Sequence, residues 1–228
     1  MKDAPLVICR GAARTYGSGT AATVALQPSD CDVLRGARIA ITGPSGSGKS
    51  TLLHLMAGLD EPTVGEVSWP ALGSREQLRP GPVAVVFQGP SLLPPLTVEE
   101  NVALPLSLAG ASESESTGAA RHALELVDLL DVGDKLPEEI SGGQAQRAAV
   151  ARALAGNPTL ILADEPTGQL DRTSATAVVE ALLAVADAAG AALVVATHDL
   201  GVASAFDKRW EIHSGRLSGA RKAEELAG

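Results

Sequence analysis

Aromatic residues are nearly absent: two Phe, two Trp and one Tyr in 228 residues. A core without rings has to be filled by Ala, Val, Leu and Ile. Such aliphatic runs suit a buried, mostly parallel sheet with helices on its faces. Cysteine is almost as scarce. Cys9 and Cys31 make no metal-ligand spacing and no disulfide framework, so they read as two small buried thiols in a reducing compartment. Basic residues are outnumbered, 18 Lys and Arg against 27 Asp and Glu, for a formal net charge of −9. That balance excludes general nucleic-acid binding, which needs a basic face to displace counterions from phosphates. It is compatible with docking onto a basic cytoplasmic surface of a membrane protein. Long apolar runs are missing too: none approaches the roughly 20 residues that span a bilayer. The opening MKDAPLVICRGAARTYG lacks the apolar stretch of a signal peptide. The length fits one domain, and any work at a membrane would need something else to hold the protein there.

What the sequence does contain is strand text alternating with helix text. Leu6 to Cys9, Arg38 to Thr42, Val83 to Phe87, Leu160 to Ala163 and Leu193 to Ala196 read as short buried strands. Lys49 to Ala57 reads as a helix stopped at Gly58, and Ser174 to Ala188 as another. Arg209 to Leu217, turning at Ser214-Gly215, reads as a closing hairpin. Between Phe87 and Leu160 the alternation is interrupted by helical text. Ala119 to Leu130 carries apolar residues at helical spacing, Gly110 to Gly118 (GASESESTG) reads as a polar flexible loop, and Ser141 can cap a helix through Leu154. The expectation is an α/β core with a mostly parallel sheet flanked by helices, and a helical subdomain inserted in it. The core covers about 1–88 and 159–228 and the insertion about 89–158.

Gly43 to Thr51 reads GPSGSGKST and satisfies G-x-x-x-x-G-K-[ST] through Gly43, Gly48, Lys49 and Ser50. Strand text precedes it and helix text comes after. In that context Gly43, Pro44, Ser45, Gly46, Ser47, Gly48, Lys49, Ser50 and Thr51 are candidates for a nest of N–H groups around phosphate oxygens. The helix start adds its positive dipole end. Lys49 would bring a point charge to the outer phosphates, and Ser50 a hydroxyl to the Mg2+ that accompanies them.

Leu160 to Pro166 reads LILADEP, so Asp164 emerges where a buried strand ends, the edge at which open parallel sheets bind ligands. Asp164 fits a magnesium-side carboxylate, direct or through water. Glu165 can address a water attacking a terminal phosphate, as base or as positioner.

Ser141 to Arg147 reads SGGQAQR, between the two motifs above. This segment resembles the signature of ABC ATPases, which other phosphate-loop enzymes lack. Physically it is a second anion device, a hydroxyl and two glycine backbones at a helix start. Alone it would pass for an ordinary capped helix. The resemblance implies that Ser141, Gly142, Gly143 and Gln144 act in trans, on the γ-phosphate held by an opposite subunit. It also assigns Gln88 to the Q-loop on the metal side with Ser50 and Asp164, Asp171 (in TGQLD) to the D-loop, and His198 (in VVATHDL) to the switch histidine that joins Glu165 and Lys49 in catalysis. Tyr16 (in RTYGSG) becomes the aromatic that stacks on adenine. An edge antiparallel β region completes the phosphate-loop fold of the family.

The resemblance runs from about Leu6 to Leu217. MAGLDEPTVGEV, FQGPSLLPPLTVEENVALPL and DEPTGQLD look most like the subgroup that serves lipoprotein release, macrolide export and related permeases. Gln169 and Ala145 depart from the subgroup's usual residues, and Ser68 to Pro82 is several residues short. The resemblance implies an ATPase that binds ATP and Mg2+ and pairs as a homodimer. It would power a separate transmembrane permease, for export or extraction, from the cytoplasmic face of the membrane. The permease is expected to meet Gly89 to Asn101, where Leu92, Leu93, Leu96 and Val98 lie among prolines. A regulatory ATPase that signals through a membrane partner would share all of this chemistry. A nucleic-acid or ribosome-associated ATPase would need insertions and charge that this chain lacks.

Overall fold

The computed structural model describes residues 4–220. In chain order the elements are β1 (Val7–Tyr16), β2 (Thr23–Val33), β3 (Arg38–Thr42), α1 (Lys49–Met56), β4 (Val64–Ser68), β5 (Val83–Val86), α2 (Val98–Leu108) and α3 (Glu113–Leu126). Next come α4 (Gly142–Ala155), β6 (Leu160–Asp164), α5 (Arg172–Ala188), β7 (Ala192–Thr197), α6 (Leu200–Ala203), β8 (Lys208–His213) and β9 (Arg216–Ser218). They group into two compact units: residues 4–78 with 194–220, and residues 79–193.

The first unit holds an antiparallel sheet in the order β2-β1-β4. Its register runs from Val7 opposite Val33 to Tyr16 opposite Thr23 on one side of β1, and sets Ile8 opposite Ser68 on the other. β2 was not legible in the sequence, because Pro28, Ser29 and Asp30 interrupt it. The structure places the proline where the β1–β2 register is irregular, between the Ala12–Ser29 and Arg14–Leu26 pairs, a break at which a strand tolerates a missing N–H. β1 runs ten residues rather than the four expected, its register shifting between Cys9 and Ala12 as the strand crosses Gly11. After β4 the chain makes a short 3-10 turn at Arg75–Gln77 instead of another strand. The parallel part of this unit has β3 between the end of β7 and β8, with β9 closing the hairpin antiparallel. Ile39, Ala40 and Ile41 of β3 and Leu52, Leu55 and Met56 of α1 are fully or almost fully buried. Each large aliphatic side chain buried so contributes about 1.5–3 kcal/mol relative to exposure. The strand and the helix on either side of the glycine loop are therefore anchored in the core of this unit.

In the second unit β5 runs parallel to β6, Val83 opposite Leu160 and Val86 opposite Ala163. Between these strands the chain forms helices and connecting loops and no further strand, and α2, α3 and α4 pack on one another around Val102, Ala120, Leu124, Ala148 and Val150. Two expectations fail here. Residues 113–118 are the first turns of α3 rather than loop. Ser112 accepts from the Glu115 amide while the Glu115 carboxylate accepts from the Ser112 amide, so the polar run ESES is a capping box with acidic residues on the positive helix end. Val98 does not join an exposed apolar patch: it is fully buried in the first turn of α2, whereas Leu93 stays 45% exposed. The proline-rich approach to α2 is held by Asn101, which is completely buried. Its carboxamide accepts from the Leu93 amide at 2.7 Å and donates to the carbonyls of Leu93, Leu96 and Thr97. Among the described residues no helix is long and apolar enough to cross a membrane.

Candidate active site

The glycine-rich loop Gly43–Gly48 leaves the end of β3 and runs into α1. Two of its glycines are imposed by close approach. At Gly43 (φ 149°) a Cβ would lie 2.1 Å from the Ile212 carbonyl oxygen, and at Gly48 (φ 110°) 2.3 Å from that of Ala25. Any side chain there would push the loop off the strands beneath it. Pro44, Ser45 and Gly46 form the exposed crest, while Ser47, Lys49 and Thr51 are buried. The Lys49 side chain folds back through the loop, and Nζ donates to the carbonyls of Gly43 at 2.9 Å and Pro44 at 3.1 Å. That geometry turns loop carbonyls toward the ammonium and leaves N–H groups for an anion. Ser50, next along α1, is half-buried.

The start of α1 differs from the other long helices. Gly48 stands at its N-cap with no side-chain hydrogen bond, and no acidic residue lies in the first turn. By contrast α2, α3, α4 and α5 are capped by the side chains of Thr97, Ser112, Ser141 and Asp171. A helix start of this kind, preceded by a cradle that a Cβ would fill and joined to a lysine, fits a phosphate chain.

The same unit places Tyr16 at the end of β1, 41% exposed. Its hydroxyl donates to Asp60 Oδ2 at 2.8 Å, and the Arg14 guanidinium lies over its ring, 4.7 Å from the centroid. Arg14 also grips both oxygens of Asp60, at 2.9 and 2.7 Å. Partial burial alone would raise the Asp60 pKa, but the Tyr16 hydroxyl, the Glu61 amide and Arg14 together hold it below the usual carboxylate range. Neither Arg14 nor Asp60 was singled out from the sequence. The signal available was alternation, since residues 14 and 16 of one strand share a face. His198 follows the buried strand β7 and is exposed. Around it Thr197 Oγ1 accepts from the Asp199 amide, and Asp199 caps α6.

The second unit carries the remaining candidates. Asp164 ends β6, half-buried, and Glu165 follows with φ 46°, a left-handed conformation that a non-glycine residue adopts at some cost in strain. The Glu165 carbonyl accepts from the Gly168 amide at 3.1 Å, closing the turn that presents its side chain. Gln88, exposed, reaches the same turn: a Cβ on Gly168 would lie 3.2 Å from Gln88 Nε2. Ser141 caps α4, accepting from the Gln144 amide at 3.2 Å, while the Gln144 carboxamide accepts from the Ser141 amide at 2.9 Å. Gly143 packs against Ser174: a Cβ there would lie 2.9 Å from Ser174 Oγ, so a side chain at this position would displace that hydroxyl. Ser174 in turn donates to Asp171, whose carboxylate also accepts from the amides of Thr173 and Ser174 and caps α5. The Ser174 hydroxyl bond is the main reason the Asp171 pKa lies below the ordinary carboxylate value. One partner of this group escaped the sequence reading. Gln146 is buried and donates to the Phe87 carbonyl at 2.9 Å, joining α4 to the residue before Gln88.

Residues 26–168 match the family described as ABC transporter. The chain belongs to that family. This ABC subunit is 41% identical over 227 residues to the lipoprotein-releasing system ATP-binding protein LolD of Xylella fastidiosa, an alignment covering 96% of this chain and 95% of that one. It is 42% identical over 211 residues to the LolD of Legionella pneumophila, covering 90% and 93%. Among solved structures it is similar to a dimeric ATP-binding cassette in a post-hydrolysis state with ADP and phosphate bound, at 35% identity and a TM-score of 0.82 over 95% of this chain and 99% of the other. It is an ATP-binding, ATP-hydrolysing subunit, and its fold is the phosphate-loop fold of the ABC cassettes.

Proposed function

We propose that this subunit binds ATP with Mg2+ through Gly43–Thr51 and Tyr16, hydrolyses it with Glu165, and drives a separately encoded membrane permease as one of two paired cassettes. The observation that carries the reading is the start of α1, which has an N-terminus without a side-chain cap, two sterically imposed glycines and a lysine threaded through the loop. Loop amides bind the phosphates, Lys49 neutralises their charge and Tyr16 stacks on the base. Ser50 and Asp164, with Gln88, would hold the Mg2+, which supplies charge neutralisation at the terminal phosphates. The Glu165 carboxylate takes the proton of the attacking water or fixes its direction, and His198 hydrogen-bonds the γ-phosphate.

In this reading the second cassette of a homodimer offers Ser141, Gly142, Gly143 and Gln144 to the γ-phosphate, with Asp171 at the shared boundary. The dimeric relative supports that pairing. Helices α2–α4, about residues 89–158, act as the helical subdomain that carries this signature. The relatives named for lipoprotein release support a permease of the extraction type, with the subunit held at the cytoplasmic face of the membrane through it.

Glu165→Gln tests the hydrolytic assignment. The variant keeps the Lys49 and Ser50 contacts, so ATP binding persists while turnover falls by about 100-fold or more, and gel filtration with Mg-ATP shows a trapped dimer. Turnover at the parent rate would remove Glu165 from its role. Leu93→Glu tests the permease. Leu93 is exposed on the segment braced by Asn101, so a charge there abolishes stimulation of the ATPase by the reconstituted permease while leaving basal turnover. Normal stimulation would move the docking surface elsewhere.

A further inference from the structure

Tyr16 is held more tightly than a stacking ring on a strand end requires. Three separate contacts fix it: strand pairing opposite Thr23, a hydroxyl bond to Asp60 at 2.8 Å, and the Arg14 guanidinium 4.7 Å from the ring centre. Arg14 and Asp60 are fixed in turn by their own two-point contact, and the Glu61 amide donates to Asp60 Oδ1 at 2.8 Å. The side chains of Arg14 and Asp60 are only 25% and 20% exposed, whereas Tyr16 is 41% exposed. The arrangement therefore hides its charges and presents its ring. Because the guanidinium covers one ring face, a base can stack only on the other.

Asp60 is also tied to the phosphate loop. α1 begins at Lys49 and ends at Met56; the chain turns at Gly58 (φ 64°), and the amides of Leu59 and Asp60 both donate to the His54 carbonyl, at 2.9 and 3.3 Å. One short helix thus carries phosphate-loop residues at its start and, through this turn, the acceptor of the Tyr16 hydroxyl at its end.

We propose that Arg14 and Asp60 are positioning residues for the nucleotide base: they lock the Tyr16 ring, confine stacking to one face, and tie the ring to the helix that begins at the phosphate loop. The proposal rests on the reading of Tyr16 as the base-stacking residue. A residue that acts this way changes binding of nucleotide alike in ground and transition states, so its loss raises KM and spares kcat. Its effect also vanishes for a ligand that has no base.

The test uses ATP and inorganic tripolyphosphate, a phosphate chain without a base, on the full-length protein. Tyr16→Ala raises KM for ATP by about ten-fold, the order expected for one lost base–aromatic stack. Asp60→Asn, which is nearly isosteric, and Arg14→Leu each raise it by about three- to five-fold, the order of one ordinary net hydrogen bond or one exposed cation–π contact. Tyr16→Phe, which loses only the hydroxyl, gives a rise like that of Asp60→Asn and keeps the test available if the charge variants fold poorly. In all of them inhibition by tripolyphosphate is unchanged, and in a Tyr16→Ala background Asp60→Asn adds nothing further. If Tyr16→Ala raises KM but Asp60→Asn and Tyr16→Phe do not, the clamp is wrong and the stacking reading survives. If Tyr16→Ala leaves KM unaltered, the stacking reading itself fails. Weakened tripolyphosphate inhibition in Asp60→Asn, or an undiminished effect in the Tyr16→Ala background, would mean that Asp60 acts on the phosphates or on the fold, and would overturn the proposal.

Discussion

Helices α1 and α4 both begin in glycine- and serine-rich text, and both are assigned to phosphate, yet their first turns are built in opposite ways. α1 starts at a left-handed Gly48 with no side-chain cap, and Lys49 is spent on the carbonyls of its own loop. α4 is closed on itself, with Ser141 and Gln144 exchanging side-chain and backbone hydrogen bonds in a complete capping box. A helix start without a cap leaves its N–H groups to water or a ligand. A capped one can take a ligand only by giving up, or sharing, the bonds of its cap. The difference suits a subunit in which the first device grips nucleotide alone and the second engages only when a partner cassette brings a phosphate to it.

The comparison breaks first at Lys49. Lys49→Ala removes the charge from the uncapped device and weakens ATP binding by about 10- to 100-fold, the range of a hydrogen bond to a charged group that is also threaded through its loop. Nucleotide titration measures it, and undiminished ATP turnover would contradict the assignment. The variant still folds, because the glycines that seat the loop on Ile212 and Ala25 are untouched. Ser141 sharpens the comparison through two variants with different consequences. Ser141→Asp keeps a good N-cap, so thermal stability stays within about 0.5 kcal/mol, but it sets a carboxylate against the phosphate, and dimer formation and hydrolysis are lost. Ser141→Ala gives the smaller effect on turnover and costs about 1 kcal/mol of stability through the lost cap. Thermal melts paired with ATPase assays separate the two. If Ser141→Asp hydrolyses normally, α4 is a capped helix and nothing more.

Much of the candidate chemistry was legible because it is written in contiguous residues. GPSGSGKST, LILADEP and SGGQAQR each place their groups by local geometry: a strand ends, a glycine bends, a helix begins. The strands β5, β6 and β7 and the helices α1 and α5 were visible for the same reason, their apolar spacing matching one period. Less was visible where the decisive neighbour is distant. β2 reads as loop because Pro28 and the polar residues after it deny a strand pattern, and only its edge position beside β1 makes it one. The start of α3 reads as linker because a capping box and a flexible polar loop use the same residues.

The sequence by itself determined the phosphate loop, the acidic strand end, the signature segment and an aliphatic α/β core, since each depends on neighbours within a few positions. Tertiary structure decided the rest. It folded Lys49 through its loop, buried Val98 while leaving Leu93 exposed, and bound Gln146 to the Phe87 carbonyl. It also brought Asp60 to Arg14 and Tyr16 across more than 40 residues of chain. Those contacts join side chains whose separation along the chain carries no periodic signal, and only the packing of strands and helices within each unit sets the distances between them.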